Sequence, residues 1–209
     1  MFFDPEQGWR GVAGLLVAGI GHDLNGRLTA LMGIAHVARH TGADPELLDV
    51  LDDQVKRLEQ SIRALRSWPV GAPGNPELTR IKDVLPPMLE LYECRGGGDD
   101  VALEVEEGPS NAIRIRIRPF MEAILLLLAA AEHDTNGGHR PLEVRYGSDD
   151  GEAWLAIRAK NGGKAADGVV DSRTVEEAKE LLESAGARLA RADADGEGVH
   201  LEVRAPEAV

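Results

Sequence analysis

Gly21-His22-Asp23-Leu24-Asn25-Gly26-Arg27-Leu28-Thr29-Ala30-Leu31 sets a titratable imidazole at the head of an apolar repeat. From Leu24 the apolar residues Leu28, Leu31, Ala35 and Ala38 recur at alternating steps of four and three, which puts them in one stripe of a helix. Extended in both directions, the pattern predicts one long helix over residues 8–41. T-G-A-D-P then closes it: Gly42 suits a C-terminal cap, Asp44 an N-cap and Pro45 a first helical position. A second helix is expected from Pro45 to about Trp68, with Leu48, Leu51, Val55, Leu58, Ile62 and Leu65 as its stripe. So short a connection makes the two helices antiparallel neighbours. Two helices cannot bury both stripes alone, and a second copy of the hairpin would complete a four-helix bundle. A homodimer through residues 8–68 is therefore expected, the alternative being that the hairpin packs on the rest of its own chain.

At about 100° per residue, Gly26, Thr29, Gly33 and His36 return to nearly the face of His22. Each glycine inside a helix costs roughly 1 kcal/mol relative to alanine, so two on one face want a reason. One is close approach of another protein to an exposed His22. The other is close helix packing within the dimer, with His22 an ordinary surface residue. Asp23 favours the first, because a carboxylate can orient an imidazole tautomer and leave the other nitrogen free to attack. Of the remaining histidines, His36, His40, His133, His139 and His200, only His36 and His40 stand four apart on a helix. No acid or cysteine shares their face, so no metal site is expected.

Pro69 to Pro76 is rich in proline and glycine and reads as a linker. Beyond it the texture turns mixed. Residues 83–95 read as a helix that Pro86 and Pro87 kink or delay. Residues 101–107, 112–117, 142–146, 153–159 and 199–204 read as strands. Residues 118–132 form a buried helix and 173–185 an amphipathic one ending at Gly186. Glu176, Glu177 and Glu180 on that last helix read as a solvated face, available to a basic partner. The fold class is α+β: a helical hairpin (residues 8–68) ahead of an α/β sandwich (residues 77–209).

The net charge is −13, and residues 69–209 carry most of it, with 16 basic against 27 acidic residues. Such a surface repels phosphate backbones and anionic lipid, so neither nucleic acid nor membrane is an expected partner. The single cysteine, Cys94, allows no internal disulfide and suits a reducing compartment. The first residues lack the basic region of a signal peptide. The longest apolar runs reach about half of the ~20 residues a membrane span needs. A cytoplasmic location is expected.

The Gly21–Leu31 stretch resembles the phosphoacceptor box of sensor histidine kinases, in which His-Asp or His-Glu opens a long helix of a dimeric hairpin. The order helix, turn, helix, linker and α/β domain is also that of the kinase core. In outline the second part resembles the family's ATP-binding domain. Phe120–Ala131 stands where that domain has its Asn-bearing helix, and Ile157–Gly163 where a strand leads into its Asp-x-Gly-x-Gly loop. Thr174–Leu189 resembles the helix after the glycine-rich lid, and Gly198–Pro206 the closing strand. The departures are chemical. Where the family has an Asn for Mg²⁺ and phosphates, this chain reads Leu126 to Ala130, and hydrocarbon cannot ligate Mg²⁺. Where the family's Asp reads adenine, it has Ala159, Lys160 and Asn161, and Val169–Thr174 contains no lid glycine. The position four after the histidine, a polar residue in kinases with phosphatase activity, is Gly26, which argues against that activity.

A histidine box joined to a degenerate kinase domain resembles the dimeric-hairpin histidine phosphotransferases. The resemblance implies that His22 carries a phosphoryl group between response-regulator receiver domains, without ATP-dependent kinase activity. It implies that Asp23 orients the imidazole, that Arg27 steadies phosphoryl oxygens or an acidic receiver surface, and that Gly26, Thr29 and Gly33 give a receiver room to dock. No cofactor is expected on this chain, since the receiver brings its own Mg²⁺. The alternatives are a pseudokinase scaffold that controls partners without phosphotransfer, and an atypical histidine kinase.

Overall fold

A computed structural model of the chain describes residues 8–41, 45–67, 74–94, 103–132, 141–160, 172–195 and 198–208. The expected caps at Gly42 and Asp44, most of the Pro69–Pro76 linker, His133, His139, and segments 161–163 and 169–171 lie outside these residues.

Helix α1 runs Gly8–Thr41 and α2 runs Pro45–Ser67. They pack against each other as a hairpin. Leu24, Leu31 and Ala38 of the α1 stripe are half-buried, while Leu28 is 49% exposed. The first three turns of α1 do something else. Val12, Leu16 and Ile20 recur every four residues and are buried in the same core cluster as the α/β part. Packing of the hairpin on its own chain, the alternative to the dimer, thus holds for this end of α1. Val17 on the outer side of these turns, Met32 further along α1, and Leu48, Val55 and Ile62 on α2 remain exposed.

Strand β1 (Glu77–Thr79) falls just after the linker, where no strand was expected, and pairs antiparallel with β3 (Ile113–Ile115). Between them lie α3 (Ile81–Cys94) and β2 (Leu103–Glu107). Helix α3 begins earlier than expected and runs through Pro86 and Pro87. Burial explains it: Ile81, Val84, Leu85, Met88 and Tyr92 form one continuous stripe, each at most 7% exposed. That packing offsets the backbone bonds the prolines remove.

Helix α4 (Ile117–Glu132) is buried from Pro119 to Glu132 on every side. It touches β4 (Leu142–Asp149), β5 (Glu152–Lys160) and β7 (Gly198–Pro206), and also α1, α3 and α5 (Arg173–Ala185). A helix that is apolar all round belongs at the centre of its domain. Leu126→Ala, at a side chain with 0% exposure, is expected to cost about 3 kcal/mol and lower the thermal midpoint by about 6–12 °C. Thermal unfolding followed by circular dichroism checks this.

The main sheet has the order β2-β4-β5-β7-β6, with β6 spanning Arg188–Asp195. The β2–β4 pair is parallel and the rest are antiparallel. Alternation assigns the faces. Leu142, Val144, Leu155, Ile157, Leu201 and Val203 are buried beneath the helices. Glu143, Arg145, Arg158, His200, Glu202 and Arg204 sit at the alternate positions, half-buried or exposed. Gly147 lets the Trp154 indole lie across β4, since a Cβ there would come within 2.7 Å of the ring. Ser172 caps the start of α5 by accepting from Val175 N–H at 3.4 Å, and Gly186 ends it in the left-handed conformation at φ 91°. Among the described residues no helix is long and apolar enough to cross a membrane.

Candidate functional site

Ile20 is 8% exposed and is the last α1 residue buried in the core cluster. His22 follows two positions on, turned away from that core, and is exposed. Gly26, Thr29, Gly33 and His36 are exposed as well. The face expected from the spacing therefore exists. A Cβ added to Gly26 or Gly33 would meet nothing within 4 Å. Within one chain neither glycine is needed for close packing.

Asp23 and Arg27 form an i, i+4 ion pair, with Arg27 Nε donating to Asp23 Oδ2 at 2.7 Å. Their side chains are 20% and 21% exposed, respectively. Asp23, expected to serve the imidazole, thus has its carboxylate on Arg27. Helical geometry explains the pairing, because neighbours in sequence point about 100° apart while residues four apart lie on one face. The pair holds a guanidinium five residues beyond His22, about 140° round the helix from the imidazole. Thr29 Oγ1 donates to the Asn25 carbonyl at 2.8 Å, which folds its hydroxyl back onto the helix. The positions that follow His22 along its own face, Gly26, Thr29 and Gly33, thus carry no bulky side chain.

His36 and His40 lie further along α1, with ring centroids 4.5 Å apart in an edge-on contact. Among the described residues no group of three or more His, Cys, Asp or Glu is placed to hold a metal ion. His200 sits on the open face of the sheet. Partial burial pushes its pKa below the ordinary histidine value, with Arg191 and Arg158 acting in the same direction.

A nucleotide with Mg²⁺, which a kinase-type domain would imply, does not fit the described residues of α4. Leu126, Leu127, Leu128 and Ala130 are 0% exposed and Ala129 is 5% exposed. They offer no oxygen to a hard cation. Of the two carboxylates on α4, Glu122 accepts from Arg118 at 2.9 Å, and Glu132 accepts from Tyr92 at 2.7 Å through Oε2 while its Oε1 is buried without a hydrogen bond among the described residues.

No protein-family model matches the chain, and neither does any curated protein sequence. Solved structures do. One described as a bacterial phosphotransferase aligns over 92% of this chain and 95% of its own, with a TM-score of 0.51 and 16% identity. The catalytic domain of the histidine kinase ThkA aligns over 64% of this chain and 98% of its own, with a TM-score of 0.50 and 6% identity. The Acinetobacter baumannii histidine kinase AdeS aligns over 90% and 98%, with a TM-score of 0.49 and 17% identity. At such identities the likeness defines the fold. This chain has a histidine-kinase-like fold, mixed helix and sheet with a largely antiparallel sheet.

Proposed function

We propose that this protein is a histidine phosphotransferase that relays a phosphoryl group between receiver domains through His22. One observation carries the reading: an exposed imidazole heads a helix face bare as far as Gly33, where added side-chain atoms would meet only open space. The deprotonated ring nitrogen of neutral His22 attacks the phosphorus of a receiver's phosphoaspartate in line. A P–N bond forms as the P–O bond to the aspartate breaks, and the carboxylate leaves. The reverse step on a second receiver completes the relay. The imidazole becomes positively charged on phosphorylation, and its exposure lets solvent stabilise that charge. Arg27, held by Asp23 at 2.7 Å, offers a charged donor to an acidic partner surface beside the His22 face. Mg²⁺ would be supplied by the receiver.

The test uses two donors on the full chain: receiver domains charged with radiolabelled acetyl phosphate, and radiolabelled ATP with Mg²⁺. Label taken from a receiver and not from ATP is expected. Label from ATP would identify an atypical kinase, and label from neither donor a scaffold.

The working unit in this proposal is a homodimer. Val17 at 72% and Met32 at 73% exposure on α1, with Leu48, Val55 and Ile62 at 50%, 38% and 38% on α2, give both helices apolar surface that one hairpin leaves uncovered. A second copy is the economical cover. Sedimentation at micromolar concentration is expected to give twice the chain mass. Val55→Glu with Ile62→Glu is expected to give the monomer. A wild-type monomer would remove the bundle.

A further inference from the structure

Helix α1 has no acid in its first turn. The opening N–H groups of a helix have no partner within it, and the dipole makes that end positive. The carboxylate that serves this end comes from the far side of the chain. Trp9 N–H donates to Glu177 Oε2 at 3.0 Å, across 168 residues. Gly8 makes room for it. Its φ is 55°, and a Cβ there would collide with the Glu177 carboxylate. Glu177 lies on α5, so the contact joins the histidine-bearing helix to the α/β domain. Below it Val12, Leu16 and Ile20 carry the same junction through three turns, with α3, α4 and α5 all against α1.

We propose that Glu177 is a positioning residue: it clamps the start of α1 to the α/β domain and so sets where the His22 face points. The positioning role rests on the reading of His22 as a phosphoryl carrier. Ile20 is the last fully buried residue of α1 and Leu24 packs against the edge of the same core, so His22 lies within the docked stretch, two residues (about 3 Å along the axis) beyond Ile20. A rotation or tilt of the docked turns therefore reaches the imidazole almost undiminished. In-line transfer depends steeply on alignment, and a misplacement of about 1 Å can cost ~10²-fold in rate. The α/β domain thereby acquires a task that does not involve nucleotide, as the anchor of the arm that carries His22.

The experiment uses the full chain with Glu177→Ala, Glu177→Gln and Gly8→Ala. Two readouts are taken: hydrogen exchange of the amides of residues 9–16, and the rate of transfer from a receiver domain charged with acetyl phosphate. Glu177→Ala is expected to speed exchange at least tenfold in the first turns and to slow transfer three- to tenfold, with the overall thermal midpoint within a few degrees of wild type. Glu177→Gln, whose amide oxygen can still accept from Trp9, is expected to recover most of both. Gly8→Ala should behave like Glu177→Ala. Unchanged exchange in Glu177→Ala overturns the clamp. Faster exchange with wild-type transfer, or slow transfer that glutamine does not rescue, overturns the positioning role. A wild type inert toward every charged receiver sinks the phosphotransfer reading instead, and the clamp is then upheld or overturned by exchange alone.

Discussion

His22→Ala is expected to accept no phosphoryl group while keeping its fold and its oligomeric state. The imidazole is exposed, so removing it opens no cavity. Alanine is a better helix former than histidine by roughly half a kcal/mol, and the variant should be at least as stable as wild type. Loss of label then reports loss of the nucleophile and nothing else. The expected drop is to background, because no neighbouring group substitutes for a ring nitrogen: Asp23 is engaged with Arg27 at 2.7 Å, and Thr29 with the Asn25 carbonyl at 2.8 Å. His36 stands on the same face fourteen residues on, about 21 Å along the axis, too far to act from one docked receiver. Acid-labile label retained in His22→Ala would move the acceptor elsewhere and end the central claim.

Gly33→Leu is expected to slow transfer from a charged receiver at least tenfold. The substitution leaves the rest of the chain undisturbed. A Cβ at Gly33 meets nothing within 4 Å, so the new side chain fits the chain as it stands. Leucine in place of glycine also favours the helix by roughly 1 kcal/mol. A slower reaction in a chain that is no less stable can come only from something that approaches this face. Sedimentation run beside the assay separates the two bodies that could approach. If Gly33→Leu remains a dimer and loses transfer, the face receives a partner protein. If it becomes a monomer, the glycines serve the dimer. Unchanged transfer would mean that docking lies elsewhere on the helix. Gly26→Leu, one turn from His22, should show the same pattern more strongly.

The helical hairpin was legible because a 3.6-residue rhythm is a local property that one or two turns are enough to set. The last helix was legible to its ends, since its amphipathic run stops at Gly186; the Ser172 cap at its start is a finding of the structure. Strand β6 was not. R-L-A-R-A-D-A-D has alanine where a strand usually carries a β-branched or aromatic side chain, and its pairing with β7 decides its state. Strand β1 has three residues, two of them exposed, too few for an alternation to show. Strand β4 ran on past Tyr146 because Trp154 covers Gly147, a cross-strand match that neither segment announces alone. At the candidate site the bare face followed from spacing. The Asp23–Arg27 pair could have been read from its i, i+4 interval. The Glu177 contact could not: within its own helix Glu177 belongs to a run of solvated acids, and its partner is a backbone N–H 168 residues earlier.

That distance has a consequence for the chain as it is made. Translation adds roughly 5–20 residues per second and delivers the N-terminal end first. The 168 positions from Trp9 to Glu177 thus take on the order of ten to thirty seconds to synthesise. Through that interval Val12, Leu16 and Ile20 are outside the ribosome without the core they will join, and the apolar hairpin is available to the same hairpin on a neighbouring nascent chain. In the proposed homodimer, pairing of two copies can therefore precede completion of either, and ribosomes spaced along one message would favour assembly from sister chains.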